Sequence, residues 1–181
     1  MRRRRRGTGR SARPLVVGLL AVLLAVVTAG CGSGGADDGP ARPTSPRALP
    51  DVTLEALQGS GELDLGSIRG PAVVNLWASW CAPCRAELPD YAAYARKHAG
   101  SVDVIGIDFQ DTQVDQAVAL AEDSGVDYPL YADPDGLTRA RTLPQIVLVD
   151  AEGRVRFARP MKITSVQQIE DLVAEHLGVA P

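Results

Sequence analysis

Histidine is nearly absent from this chain of 181 residues: His98 and His176 are the only two. Both fall on amphipathic helical stretches, where packing or solvation is the expected role rather than ligation. No metal and no other cofactor is expected. Cysteine is also scarce, with Cys31, Cys81 and Cys84 the full set. Three is an odd number, so one thiol needs an explanation apart from any pair. No acidic residue precedes Cys31, whereas seven arginines do. No second apolar run of spanning length follows the first, and no segment repeats. Downstream of Cys31 there is no basic stripe either. The 12 basic residues left there face 22 acidic ones, a net charge of about −10. That balance argues against nucleic acid as a partner.

What the amino terminus does contain is ordered by type. Arg2 through Arg6, Arg10 and Arg13 form a basic region, and an apolar run from Leu15 to Val27 follows. Thr28-Ala29-Gly30 then leads to Cys31. Basic region, apolar region and small residues describe a signal peptide. Cysteine directly after the small residues resembles a bacterial lipoprotein signal, with Cys31 as the lipidated mature terminus. Thr28 stands where that motif usually has Leu. An uncleaved anchor and an ordinary secretory signal are the alternatives, although the run is short of the roughly 20 residues a spanning helix needs. Each reading places the rest of the chain outside the cytoplasm.

The expected organisation has three parts: 1–30 as signal, 31–49 as a flexible tether and 50–181 as one domain. From Gly32 to about Leu49 the chain is Gly, Ser, Pro, Ala, Asp and Arg, which cannot build a core. The remainder suits a single core. Val52–Leu54 and Glu62–Leu65 read as short leading strands. Ala72–Trp77 is a buried apolar run, and its Val73–Trp77 part reads as a strand. Cys84 to about Ala99 reads as a helix broken or kinked by Pro89. Val102–Ile107 is apolar at nearly every position, as a strand covered on both faces is. Val114–Glu122 reads as a helix, Tyr128–Tyr131 as a short extended piece and Ala132–Gly136 as a turn. Ile146–Asp150 and Arg154–Ala158 flank a turn as a hairpin. Val166, Ile169, Leu172, Val173 and Leu177 form a helical stripe over 166–177. Strands and helices alternating in this way predict an α/β sandwich.

Trp80-Cys81-Ala82-Pro83-Cys84 carries the chemistry. The pair follows a strand pattern and precedes a helical one, Arg85-Ala86-Glu87-Leu88. A thiol at the first turn of a helix faces unpaired backbone N–H groups and the positive end of the dipole, so its thiolate is favoured. Three residues on, the second thiol lies one turn above it on the same face. Such a pair can close a disulfide and reopen it by exchange. A structural disulfide or half of a zinc site is the alternative for the same two residues.

The run from Val74 to Pro89, Val-Asn-Leu-Trp-Ala-Ser-Trp-Cys-Ala-Pro-Cys-Arg-Ala-Glu-Leu-Pro, resembles the signature of the TlpA/ResA-type thiol-disulfide oxidoreductases. These are extracytoplasmic members of the thioredoxin superfamily, of the redoxin type, and include cytochrome c maturation proteins. Val104–Asp108, Asp133–Gly136 and Val149–Gly153 match further landmarks, so the likeness covers roughly 50–178. The resemblance implies a thioredoxin fold: a central mixed β-sheet flanked by helices, with an N-terminal strand extension and an inserted βα segment. It implies Cys81 as exposed nucleophile and Cys84 as buried resolving thiol. It implies that Glu87 tunes the thiols, the competing reading being a solvated glutamate near the helix start. Thioredoxin's buried Asp is replaced here by Asn75. Pro144 matches the family's cis-proline, and Leu143 before it offers its backbone to a partner's extended chain beside Trp80. The chain departs by having Gln145 where Thr is usual, no Gly before Pro144, and a short segment from Gly136. A peroxidase would instead want a lone cysteine after a Pro/Thr-rich turn. The implied partners are protein thiols or disulfides, apocytochrome c among them, a membrane redox partner that recharges the dithiol, and the membrane itself through a lipid anchor. The implied direction is reduction. A disulfide-forming oxidant, or a metal-delivery or binding module of the same fold, is the alternative.

Overall fold

Every residue of Ala72–Trp77 is buried, which requires a strand in the middle of a sheet covered on both faces. In the computed structural model, which describes residues 47–180, this run is the fourth of eight strands. The strands are Arg47–Ala48 (β1), Thr53–Ala56 (β2), Glu62–Asp64 (β3), Ala72–Trp77 (β4), Asp103–Phe109 (β5), Leu130–Asp133 (β6), Gln145–Val149 (β7) and Arg154–Pro160 (β8). The helices are Ala82–Lys97 (α1), Val114–Asp123 (α2) and Val166–Leu177 (α3). The readings of 1–30 as signal, of Cys31 as lipidation site and of most of the tether lie outside the described residues.

The strands form one mixed sheet in the order β1-β8-β7-β4-β5-β6-β2-β3. β5 runs parallel to β4, and β6 parallel to β5. β7 returns antiparallel on the other side of β4 and pairs with β8 as a hairpin. α1 and α2 are therefore the crossovers that parallel neighbours require. Along β4 the side chains alternate between faces. Val73 packs with Tyr91 and Tyr94 of α1 and with Ile169 and Val173 of α3. Trp77 packs with Cys84 and Leu88 of α1 and with Ala117 and Ala121 of α2. The opposite face, with Val74 and Leu76, is covered by Leu54, Leu65 and Ile68 and by Ala140 and Leu143 ahead of β7. No residue of the three α-helices joins that second cluster.

Several boundaries differ from the sequence reading. β1 lies inside 31–49, the stretch read as tether, and pairs Arg47 with Val155 and Ala48 with Arg154. Two residues are too few to show a strand period, so composition alone could not mark them. α1 starts at Ala82 rather than Cys84, because Cys81 is its cap and Pro83 suits a first turn that needs no donor. Pro89 does not end α1, which continues to Lys97. Leu88, Tyr91, Ala92 and Tyr94 anchor the helix on both sides of the missing hydrogen bond. β5 extends two residues past Ile107, and Ala132 and Asp133, read as turn, belong to β6. Leu143–Pro144 is cis, and so is Gly70–Pro71.

Candidate active site

β4 delivers the chain to a tight turn. Ala78 C=O accepts from Cys81 N–H at 3.1 Å, and Cys81 C=O accepts from Arg85 N–H at 3.1 Å, the first bond of α1. Cys81 is the N-cap residue and has no side-chain cap bond, so its sulfur is free for other chemistry. Cys81 and Cys84 are joined as a disulfide with their Cα atoms 5.2 Å apart. This is the oxidised form of a pair sitting among the unpaired N–H groups of a helix start, where a thiolate is favoured once the bond opens. Cys81 is 5 % exposed and Cys84 not at all. Cys81, expected as the exposed nucleophile, is almost fully buried, with Trp77, Ala78, Ala117 and Leu143 in its cluster. Trp80, the residue before it, is 54 % exposed, its indole N–H donating to Gln110 C=O at 3.3 Å.

Leu143 packs against the cluster that holds both cysteines, and Pro144 behind it is buried. Pro144 C=O accepts from Met161 N–H at 3.1 Å. Among the described residues the Leu143 N–H and C=O have no backbone partner. Of the residues that the sequence singles out, Cys81, Cys84 and Leu143 share one cluster, and Trp80 is the exposed neighbour of Cys81.

Glu87 is not the solvated glutamate of the competing reading: its side chain has no exposed surface. Oε2 accepts from Ile163 N–H at 2.8 Å, and Oε1 has no hydrogen-bond partner among the described residues. Burial pushes its pKa up from 4.5 to about 7, against the lowering effects of the Ile163 bond and of Lys162. An acid poised there, three residues beyond Cys84, can hold or release a proton at neutral pH. Asn75 is also fully buried, and its amide has no bonded partner among the described residues.

Two carboxyls beside the site carry no role assigned from the sequence: Asp108, which closes the Val104–Asp108 landmark, and Asp111, which lies in no motif. Asp111 Oδ2 accepts from Ser79 N–H at 2.6 Å, and its Oδ1 accepts from Gln113 N–H at 2.8 Å. Asp108, near the end of β5, is 2 % exposed, and its Oδ1 has no hydrogen-bond partner among the described residues. Burial, then the charge of Asp111, pushes Asp108 up to about 8, so it is neutral at pH 7. The backbone bonds lower Asp111 in turn, against the upward pull of its burial. The available signal was a charged residue inside the apolar run of β5. The two histidines pack as expected: His98 stacks on Tyr94 and bonds Glu170 at 2.9 Å, and His176 stacks on Phe157.

Residues 46–158 match the model of the AhpC/TSA family. The thiol:disulfide interchange protein HelX of Rhodobacter capsulatus is 33 % identical over 161 residues, covering 83 % of this chain and 89 % of that protein. The thiol:disulfide interchange protein DsbE of Allochromatium vinosum is 32 % identical over 149 residues, covering 77 % and 78 %. Among solved structures, a secreted thiol-disulfide isomerase of Corynebacterium glutamicum superposes with a TM-score of 0.60 at 27 % identity, covering 72 % of this chain and 83 % of that one. The chain is thus similar over most of its length to proteins named for thiol:disulfide interchange, as the signature around Cys81 and Cys84 implied. The fold is the thioredoxin fold, and the chain belongs to the AhpC/TSA family, among its TlpA/ResA-like thiol-disulfide oxidoreductases.

Proposed function

We propose that this oxidoreductase works outside the cytoplasm as a reductant of protein disulfides, with apocytochrome c as a substrate. In the reduced form the Cys81 thiolate attacks a partner disulfide. The partner's S–S bond breaks, one of its sulfurs leaves as a thiolate and takes a proton, and a Cys81–partner mixed disulfide remains. Cys84 then loses its proton and attacks the Cys81 sulfur. The mixed disulfide breaks, the partner's second sulfur leaves and is protonated, and the Cys81–Cys84 bond forms. Two electrons pass to the partner, and a membrane redox partner must return them.

The observation that carries the assignment of roles is the difference in exposure: Cys81 keeps a small exposed area and Cys84 has none. Trp80 and the unpaired Leu143 backbone beside cis-Pro144 support a partner strand lying across Cys81. Glu87, buried and poised near neutrality, supports a role as proton acceptor when Cys84 is deprotonated. Cys31 as lipid anchor, 1–30 as signal and 31–49 as tether complete the reading and rest on the sequence pattern.

Trapping tests it. Cys84→Ser should accumulate mixed disulfides with partner proteins, since Cys81 attacks and nothing resolves the adduct. Cys81→Ser should accumulate few. Equal trapping by both variants would contradict the roles. A reduction potential for the pair above that of the partner disulfide would reverse the direction to oxidant.

A further inference from the structure

Between β5 and α2 the chain makes two hydrogen bonds to the turn that carries Cys81, and the exchange chemistry uses neither. Asp111 takes the Ser79 N–H, and Gln110 C=O takes the Trp80 indole. Gln110 itself is held in a left-handed backbone conformation at φ 50° by its N–H bond to Asp133 C=O at 2.8 Å. We propose that Asp111 is a positioning residue for Cys81: its carboxylate clamps the backbone at Ser79 and so fixes how the sulfur meets a partner.

The geometry makes the clamp specific. Ser79 lies two residues before Cys81, and its N–H is bonded to a side chain rather than to another strand. The bond is short and charge-assisted, the stronger class of hydrogen bond. The same carboxylate holds Gln113, the N-cap residue of α2, so one anion ties the start of α2 to the cysteine turn. Burial, then the charge of Asp111, pushes the buried Asp108 up to about 8, so at pH 7 Asp108 is neutral and leaves Asp111 as the anion.

The surroundings leave the pair electrically alone. The register partners of Asp108 are Trp77 on β4 and Ala132 on β6, neither of which titrates. Asp133, one position further along β6, has its oxygens occupied by Leu137 N–H and by the Thr138 N–H and hydroxyl. Arg85 near the start of α1 and Asp115 near the start of α2 are exposed. Cys81 and Cys84 do not titrate while joined. Asp111 is the charge that acts on Asp108. Removing the Asp108 proton therefore adds a second like charge close to Asp111 and loosens the clamp.

This proposal rests on the exchange reading of the site, and its test separates the two. In the oxidised full chain, the Ser79 and Gln113 amide resonances should move together with pH, with a midpoint near 8. In Asp108→Asn, which has no proton to lose there, that movement should vanish. Asp111→Asn should slow reduction of the disulfide by dithiothreitol roughly tenfold, the rate equivalent of one charge-assisted hydrogen bond, and shift the reduction potential. A merely structural Asp111 would lower stability and leave rate and potential alone. Amides that do not titrate, or an Asp111→Asn protein with wild-type rate and potential, overturn the clamp. If Asp111→Asn does not fold, the amide titration in wild type and Asp108→Asn still decides. A wild type inert to dithiothreitol sinks the exchange reading instead, and the amides then speak for the clamp by themselves.

Discussion

Glu87 Oε2 accepts the Ile163 N–H at 2.8 Å, so a side chain of the active-site helix holds the backbone ahead of α3, 76 residues away in sequence. The bond joins two elements of the core and leaves the second oxygen of a buried acid without a partner.

That acid makes stability depend on pH in a definite direction. Its pKa is 4.5 when exposed in the unfolded chain and about 7 when folded. The folded state binds the proton more tightly, so the contribution is full below 4.5 and is lost as pH rises toward 7. The loss is limited to roughly 3 kcal/mol. Glu87→Gln keeps an acceptor for Ile163 and has no proton to lose. Denaturant midpoints of the two proteins, compared from pH 4.5 to 8, should diverge in favour of the variant. A constant difference across that range would remove the linkage.

In the reduced protein, the proposed role of Glu87 as proton acceptor couples it to the thiols. Glu87→Gln should lower the thiol pKa values, mostly that of Cys84, by removing a like charge. Thiolate absorbance against pH in both proteins measures it. Superimposable curves would mean that Glu87 acts only through its bond to Ile163.

Trp80 is the large apolar side chain exposed beside the disulfide. Trp80→Ala forfeits one long hydrogen bond and little packing, so stability should fall by less than about 1 kcal/mol. Exchange with a protein disulfide should slow several-fold while exchange with dithiothreitol stays as it was. A variant that slows both equally would assign Trp80 to the geometry of the turn rather than to a partner.

Leu88 lies fully buried in the cluster with Cys84, Trp77 and Ala117. Leu88→Ala should cost about 2–5 kcal/mol in urea unfolding. A cost under about 1 kcal/mol would mean that the helix collapses onto the gap without strain.

Much of this molecule is readable without coordinates. The stripe from Val166 to Leu177 marks α3 to the residue because five apolar positions repeat at helical spacing. The strand–Cys-X-X-Cys–helix order places the disulfide because each part is local. Glu87 is different: its buried carboxyl takes the Ile163 N–H from the chain ahead of α3, and nothing near residue 87 encodes that meeting. Asp108 and Asp111 become a pair through a turn after β5 that brings them under Ser79. The Gly70–Pro71 bond carries no local mark of its isomer. What the sequence hides are contacts made across long separations and conformations chosen by packing.

The two register pairs of β1 have a mechanical consequence. β1 is the edge strand next to β8, with β7 between β8 and β4. At about 4.8 Å per strand, it lies roughly 14 Å across the sheet from the strand that presents Cys81. A pull on the chain ahead of Arg47 loads Arg47–Val155 and Ala48–Arg154 before anything else. Antiparallel edge pairs of this length open one after another, like a zip, and do so under small force. β1 is a mechanical fuse: tension is spent in peeling it away, and the strand bearing the redox pair stays unloaded.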